Sequence, residues 1–262
     1  MIVKDQSEGL EVSKKSLQTV IRNDGLVTTS ERLIVSEHFL DLIINENLAA
    51  KLVCTPSNLT EMVVGRMVTE GYIETADEIR MIYICKYASK VKVFLHKEIN
   101  LEKFTDREPT CCTGNQVILK NSGFRPLEVL ETTEWNADQV FKLIGAFASG
   151  SAIHKATKGT HSSILTVNGE IVYTCEDIGR HNALDKAIGY AVLHGYDRKQ
   201  CMLFTTGRVP TDMVQKVVAA KIPVLVSKSV PTDAAVEMAG RYNLTLICNA
   251  WPDCFEVFHT GS

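Results

Sequence analysis

A dense block of ionisable residues between two apolar segments constrains the fold of this chain more than any other stretch. The block covers residues 175–186 and reads Cys-Glu-Asp-Ile-Gly-Arg-His-Asn-Ala-Leu-Asp-Lys. Before it, the apolar segments 164–167 and 171–174 flank an Asn-Gly pair, which predicts a β-hairpin with a two-residue turn. After it, apolar residues recur at helical spacing as far as Val192. The block is therefore predicted to join a strand to a helix.

The junction of a strand with a helix favours the binding of anions. The N–H groups of the first helical turn lack partners in the helix and carry the positive end of its dipole. Arg180, His181 and Lys186 add positive charge at this point. The spacing also fits a capped helix with a solvated polar face, in which Asp177 is the cap and Asp185 and Lys186 are surface charges. Spacing alone does not separate the two interpretations.

Residues 176–186 closely resemble the signature of the formate dehydrogenase accessory protein family, the FdhD/NarQ type. Residues 59–73, with Gly65 and a Glu-Gly-Tyr-Ile sequence, resemble a second pattern of that family, and residues 206–216 resemble a third. For residues 59–73, simple helix packing is the alternative interpretation. The resemblance covers about residues 30–260. It implies a sulfurtransferase that acts on the molybdenum cofactor.

The first half of the chain predicts an α+β domain. Residues 1–15 are polar and show no periodicity, so they are predicted to form a flexible arm that is loose or weakly docked. Residues 16–126 form the predicted N-terminal domain. Its expected elements are strands at 30–37, 39–44 and 48–55, a helix from 59 that ends at Gly71, and strands at 81–86 and 90–95.

The second half of the chain alternates helices with strands. Around the hairpin and the helix from Arg180, the expected elements are a helix at 136–150, strands at 202–206, 223–227 and 244–249, and helices at 211–220 and 232–242. Such alternation predicts a layered α/β domain with a largely parallel sheet. The resemblance implies that residues 136–262 form a C-terminal domain with a cytidine-deaminase-like, three-layer α/β/α fold. The predicted boundary therefore lies near residues 126–136.

Residues 97–126 show no clear period and are predicted to form a long connecting loop, which in a compact protein is usually functional or disordered. The loop carries the adjacent cysteines Cys111 and Cys112. Adjacent cysteines rarely close a disulfide with each other because the ring strains the peptide bond, so two thiols on a loop suit attack and transfer of sulfur. An incidental pair, or half of a metal site, is the alternative. Metal sites usually add a second pair or a nearby His, and neither appears close to this pair in the sequence.

The resemblance assigns a persulfide to this cysteine pair. Many members of the family carry Cys-x-x-Cys in the corresponding loop, whereas this chain has Cys-Cys-Thr-Gly. Cys111 aligns with the first cysteine of the family when the loop is aligned without a gap. The sulfur-carrying residue is therefore Cys111 or Cys112.

Three further loops follow predicted strands, at the edge where open α/β sheets bind ligands. Their hydroxyls and cations suit phosphate oxygens, and Trp251 suits stacking on a planar ring, although capping and core packing remain alternatives. In the family, the loop that matches 249–254 is associated with binding of the guanine-dinucleotide molybdopterin, but Asp253 and Cys254 stand where a basic residue is expected. The candidate binding residues are Glu176, Asp177, Arg180, His181, Lys186, Thr206, Arg208, Ser227, Lys228, Asn249, Ala250, Trp251, Pro252, Asp253 and Cys254.

The resemblance implies a sequence of two sulfur transfers. A cysteine desulfurase loads the persulfide, and the sulfur then passes to the bis(molybdopterin guanine dinucleotide) cofactor of molybdenum, for use by the formate dehydrogenase apo-enzyme. GDP is expected to mimic part of that cofactor. One alternative is a non-catalytic chaperone that binds the cofactor. Another is a zinc-dependent deaminase, which would need a His-x-Glu motif followed by Pro-Cys-x-x-Cys. The sequence lacks this combination, so no zinc is expected.

Composition and charge argue against nucleic-acid and membrane partners. The net charge of −3 argues against wholesale nucleic-acid binding. No apolar run is long enough to span a bilayer, and the N-terminus lacks the pattern of a signal peptide, so we expect a cytoplasmic protein without a membrane partner. Most of the eight cysteines lie in apolar segments and are expected to be buried thiols. The oligomeric state is left open, a homodimer included.

Overall fold

The computed structural model describes residues 1–99, 101–107, 115–121 and 126–261. Within these residues, the first half of the chain builds a seven-stranded sheet, a separate two-stranded ribbon and one helix. The sheet has the order β1-β6-β7-β4-β5-β9-β8. Its strands are β1 (Ile2–Asp5), β4 (His38–Ile44), β5 (Asn47–Cys54), β6 (Ile79–Ile84), β7 (Lys90–Leu95), β8 (Leu101–Arg107) and β9 (Gln116–Asn121). The ribbon consists of β2 (Ser13–Ile21) and β3 (Val27–Val35), and the helix is α1 (Leu59–Thr69).

The predictions for β4 to β7 and for α1 are confirmed. β4 and β5 form a hairpin, and β6 and β7 pair antiparallel. Alternate residues of β4, namely Leu40, Leu42 and Ile44, are buried because successive side chains of a strand point to opposite faces. These side chains cover α1, whose apolar residues complete the core.

Residues 1–15, which were expected to form a loose or weakly docked arm, contain an edge strand. β1 pairs in parallel with β6, and the backbone N–H of Gln6 donates to the carbonyl oxygen of Ile84 at 3.1 Å. β2 begins at Ser13, within the same stretch. An edge strand gains its hydrogen bonds through the backbone, so its side chains need no apolar period. This is why the sequence pattern did not reveal it.

The expected loop at residues 97–126 is also corrected. It contains β8 and β9, which pair antiparallel with each other, and β9 pairs with β5. The sequence Leu-Glu-Lys-Phe-Thr-Asp-Arg of β8 mixes polar and apolar residues without strict alternation, which hides the strand. Cys111 and Cys112 lie outside the described residues.

The second half of the chain forms a six-stranded sheet of order β11-β10-β12-β13-β14-β15. Its strands are β10 (His161–Val167), β11 (Glu170–Asp177), β12 (Cys201–Thr205), β13 (Val224–Ser227), β14 (Thr245–Cys248) and β15 (Glu256–His259). Its helices are α2 (Ala137–Gly150), α3 (Ala152–Thr157), α4 (Arg180–Leu193), α5 (Thr211–Ala219) and α6 (Asp233–Arg241). The expected hairpin is confirmed: Asn168 and Gly169 both have positive φ, as its tight turn requires.

The expectation of a largely parallel sheet is wrong. Only the pairs β12–β13 and β13–β14 are parallel, and the other three pairs are antiparallel. The hairpin adds two antiparallel strands at one edge, and β15, which follows a turn at 249–255, adds one at the other. The sequence analysis missed β15 and α3 because each is too short to show a period.

Helices cover both faces of this sheet, so the α/β class is confirmed. Leu203 and Leu225 face α4, α5 and α6, whereas Phe204 and Val226 face α2. The likeness to cytidine deaminases and the two-domain division near 126–136 stay predictions. None of the helices in the described ranges is both long and apolar enough to cross a bilayer.

The two halves of the chain meet where α1 packs on α4. An ideal Cβ atom on Gly65 would lie 1.8 Å from the carbonyl oxygen of Asp185, and one on Gly189 would lie 1.8 Å from that of Glu61. The two helix backbones therefore approach more closely than any side chain permits. Packing, the alternative interpretation of residues 59–73, accounts for Gly65.

Candidate functional site

The charged block, which spans the end of β11 and the start of α4, is buried. Asp177, Asp185 and Lys186 have no exposed surface, and Arg180 and His181 are almost fully covered. The interpretation as a capped helix with a solvated polar face is therefore wrong. A buried charge needs a partner, because removal from water without one is unfavourable by several kcal/mol or more. Some of these partners lie within the block, and others come from distant parts of the sequence.

Lys186 forms an ion pair with Asp177. Its Nζ lies 2.7 Å from Oδ2 of Asp177 and donates to the carbonyl oxygens of Thr55 and Glu176 at 3.3 and 3.0 Å. The Asp177 carboxylate also accepts from the backbone N–H groups of Thr55 and Gly179 and from the side chain of Asn182. The pair therefore connects β11 and α4 to the end of β5. Lys186 is engaged within the protein rather than directed at a ligand.

Asp185 and His181 connect α4 to other helices. Asp185 Oδ2 lies 3.0 Å from Nζ of Lys216 in α5 and 3.8 Å from a guanidinium nitrogen of Arg66 in α1. Nε2 of His181 lies 3.1 Å from Oδ2 of Asp212 in α5. The polar side chains of α4 thus hold three helices together.

Glu176 organises a short helix that the sequence analysis missed. Its carboxylate accepts from the backbone N–H groups of Ile153 and His154, at 2.9 and 2.7 Å, and from the hydroxyl of Thr160 at 3.1 Å. A carboxylate is favourable at the positive end of a helix dipole. Glu176 therefore fixes α3 and the turn after it, rather than pointing to solvent.

A cavity of about 560 Å³ opens beside this turn, within the range typical of small-molecule sites. It lies at the carboxyl ends of β12, β13 and β14, where the sequence analysis expected a site. Four of the candidate residues, namely Thr206, Lys228, Asn249 and Trp251, meet there. The lining also includes Phe147, His154, Lys158, Gly159, Thr160, His161, Ser229 and Val230.

The other candidate residues do not line this cavity in the described part of the chain. Ser227 is buried, and its hydroxyl donates to the carbonyl oxygen of Gly207 at 2.8 Å. Arg180 lies under the same turn, since an ideal Cβ on Gly207 would lie 2.8 Å from Cβ and Cδ of Arg180. Ala250 lies in the core. Arg208 is exposed, and so are Pro252, Asp253 and Cys254 in the turn after Trp251.

Two aromatic rings hold the Lys228 ammonium at the cavity. Its Nζ lies 5.1 Å from the centre of the Phe147 ring and 4.8 Å from that of Trp251, within the range of cation–π attraction. The indole N–H of Trp251 donates to Oδ1 of Asn249 at 2.8 Å, which orients the ring. In the described ranges, neither Lys228 nor Lys158 forms an ion pair with a carboxylate, so both charges remain available to an anion.

His161 adds a neutral imidazole to the cavity wall. Burial lowers its pKa below the ordinary value, and the nearby charge of Arg180 lowers it further. The positive charge of the cavity near pH 7 therefore comes mainly from Lys158 and Lys228. A sequence signal for this wall exists: residues 154–161 read His-Lys-Ala-Thr-Lys-Gly-Thr-His directly before a strand.

The described cysteines differ in burial and in the pKa of their thiols. Burial raises the pKa of the thiols of Cys175, Cys201 and Cys248 to about 12, and it also raises that of Cys54. Their expected burial is confirmed. For the half-buried Cys85, burial opposes ionisation, but hydrogen bonds from Ser89 and from backbone amides outweigh it and lower the pKa. Cys254 is exposed.

Asn115 anchors the chain directly after the cysteine-bearing segment. Its side-chain oxygen accepts from the backbone N–H of Val53 at 2.8 Å, and its nitrogen donates to Oδ1 of Asn182 at 2.9 Å. Asn182 lies in the first turn of α4 and also donates to Asp177. Asn115 follows Cys112 by three residues, so the segment rejoins the described structure at the charged block.

The chain is similar to known proteins over most of its length. The sequence model of the FdhD/NarQ family matches residues 35–262. A sulfur carrier protein FdhD of Listeria monocytogenes serovar 1/2a is 30% identical over 226 residues, which cover 83% of this chain and 85% of the relative. The sulfur carrier protein FdhD of Bacillus subtilis is 29% identical over 243 residues, which cover 89% of this chain and 91% of the relative.

A solved structure shares the fold. It is a crystal structure of a protein assigned as a formate dehydrogenase accessory protein from Desulfotalea psychrophila, with a TM-score of 0.77. The match covers 95% of this chain and 98% of that one, at 23% sequence identity. At that identity the likeness supports the fold alone.

Proposed function

The chain belongs to the FdhD/NarQ family, and we propose that it is a sulfur carrier that serves the maturation of a formate dehydrogenase. The relatives named above are sulfur carrier proteins, and they match most of this chain. One observation carries the proposal to these residues: the charged block contacts both the anchor and the cavity wall. Asn115 donates to Asn182 of the block, and Glu176 of the block accepts from His154 and Thr160, which line the cavity. A site for sulfur and a site for its acceptor can thus serve one reaction.

Cys111 or Cys112 receives the sulfur as a persulfide from a cysteine desulfurase. The thiolate of this cysteine attacks the outer sulfur of the donor persulfide. A new sulfur–sulfur bond forms at the accepting cysteine while the bond in the donor breaks, and the donor thiolate leaves. Four of the described cysteines are poor candidates because burial raises their pKa. Asn115 tethers the cysteine-bearing segment, since three residues of chain span at most about 11 Å.

The cavity at the carboxyl ends of β12, β13 and β14 binds the nucleotide part of the acceptor, the bis(molybdopterin guanine dinucleotide) cofactor of molybdenum, which is a substrate here. Lys158 and Lys228 attract its phosphates, and the hydroxyl of Thr206 donates to a phosphate oxygen. The partly exposed ring of Trp251 stacks on the guanine. Glu176 and the Lys186–Asp177 pair position this site without touching the ligand.

We expect Lys228→Ala and Trp251→Ala each to weaken the binding of GDP by about tenfold or more, because each removes a contact with phosphate or base. Isothermal titration calorimetry with GDP measures the change. Lys221→Ala is the matched control, because this lysine pairs with Glu74 and Glu128 away from the cavity. Unchanged affinity in both cavity variants would place the nucleotide site elsewhere.

A further inference from the structure

The outer face of the seven-stranded sheet, which is the face turned away from α1, is basic. Alternation along β4 to β7 buries one set of side chains under α1 and leaves the other set partly or fully exposed. On β1, on β4 to β7 and on the turn between β4 and β5, this outer face carries five cations and two carboxylates, namely Lys4, Lys51, Arg80, Lys90, Lys92, Asp41 and Glu46. This excess of positive charge contrasts with the net charge of −3 of the whole chain.

Some of the cations on the outer face are free to attract a partner. The two carboxylates pair with only two of the cations, at 3.3 and 2.9 Å. Among the described residues, Lys4, Arg80 and Lys90 form no ion pair with a carboxylate. The guanidinium carbon of Arg80 lies 5.6 Å from the centre of the Phe94 ring, a contact that does not neutralise its charge. The outer face therefore suits a partner with an acidic surface.

The outer face also reaches the anchor of the cysteine-bearing segment. Phe39 of β4 lies directly opposite Val53 of β5, and its side chain is 69% exposed. The backbone N–H of Val53 donates to Asn115 at 2.8 Å, and Asn115 follows Cys112 by three residues. Because three residues of chain span at most about 11 Å, a protein bound to the outer face has the cysteine pair within reach.

We infer that the outer face is the docking surface for the protein that donates the persulfide sulfur, and that this donor presents an acidic surface to it. The inference rests on the proposed function, since only a carrier that accepts sulfur needs such a donor. Five strands give a face about 20 Å wide, which fits the small interfaces of transient complexes. A carrier must release its donor after each transfer, and complementary charge raises the rate of association more than the affinity. Phe39 adds an exposed aromatic side chain at the end nearest the cysteine pair.

The rate at which the protein gains sulfur from two different donors tests this surface. We expect Lys4→Glu/Lys90→Glu to slow the gain from a cysteine desulfurase at least about tenfold at low salt, measured by intact-protein mass, because electrostatic attraction is lost. The gain from glutathione persulfide, which needs no docking surface, should stay unchanged, and this also shows that the variant is folded. Lys142→Glu/Lys199→Glu is the matched control, because it changes the charge equally at exposed lysines in the second half of the chain. The control should gain sulfur from both donors like the wild type.

Salt and a second variant add independent measurements. The wild-type rate with the desulfurase should fall as the salt concentration rises, and the rate of the lysine variant should fall less. Phe39→Ala should also slow the gain from the desulfurase alone, but with the salt dependence of the wild type, because it removes no charge.

Several outcomes would overturn the docking surface. Wild-type rates in both variants of the outer face, or equal slowing with both donors, would overturn it and leave the sulfur carrier intact. Binding of a poly-uridine oligonucleotide that Lys4→Glu/Lys90→Glu abolishes, with sulfur gain unchanged, would assign the outer face to nucleic acid instead. A wild type that gains sulfur from neither donor would contradict the proposed function itself, and the docking surface with it.

Discussion

Substitution of Gly65 by alanine should destabilise the protein by about 3 kcal/mol or more, at the upper end of the effects of overpacking. The new Cβ would lie 1.8 Å from the carbonyl oxygen of Asp185. That oxygen belongs to the backbone of α4, so it cannot move aside without displacing the helix. Gly189→Ala should have a similar effect, because its Cβ meets the carbonyl oxygen of Glu61. Urea unfolding followed by circular dichroism measures the loss.

Gly145→Ala is the matched control for this prediction. Gly145 also lies within a helix, but an ideal Cβ there has no atom within 4 Å. Alanine favours helix by up to about 1 kcal/mol over glycine, so this variant should be neutral or slightly more stable. Equal stability of Gly65→Ala and the wild type would contradict the close contact of α1 with α4.

Lys186→Met should destabilise the protein by about 3–5 kcal/mol, because it leaves the Asp177 carboxylate buried without its cation. Lys186 and Asp177 have no exposed surface, and their charged atoms lie 2.7 Å apart. Urea unfolding again provides the measurement. The double variant Lys186→Met/Asp177→Leu removes both charges. It should recover part of the lost stability, because no unpaired charge remains in the core.

Lys199→Met is the control for the buried pair. Lys199 pairs with Glu131, but both side chains are more than half exposed, so its loss should change stability by less than about 1 kcal/mol. If Lys186 were instead a ligand for phosphate, its substitution would lower GDP affinity and leave stability unchanged. That outcome would contradict its place in the framework of α4.

Elements whose sequence signal lies within a short window were predicted correctly. The Asn168-Gly169 turn and the apolar period of α4 each lie within a few residues, so the hairpin and the helix could be located from sequence. β1 could not be located, because its place depends on the edge of β6, more than seventy residues later in the chain. The order of strands likewise depends on pairings that no short window contains.

The meeting of four candidate residues at one cavity could be predicted from sequence. Thr206, Lys228, Asn249 and Trp251 meet because successive strands of an α/β layer end at one edge. The role of Lys186 was misjudged, since the acceptors that bury its charge include Thr55, which no spacing rule connects to it. Burial of charge is a property of the assembled core rather than of the motif.

The mass of the intact protein after incubation with a cysteine desulfurase and cysteine tests the central claim most directly. The wild type should gain one sulfur atom that a reductant removes, and so should Cys85→Ala/Cys254→Ala, which lacks the two described thiols that burial does not make inert. The double variant Cys111→Ala/Cys112→Ala should gain no sulfur, and one of the two single variants should likewise gain none. A wild type that gains no sulfur, or a gain that persists without Cys111 and Cys112, would contradict sulfur transfer through this pair and favour a chaperone that only binds the cofactor.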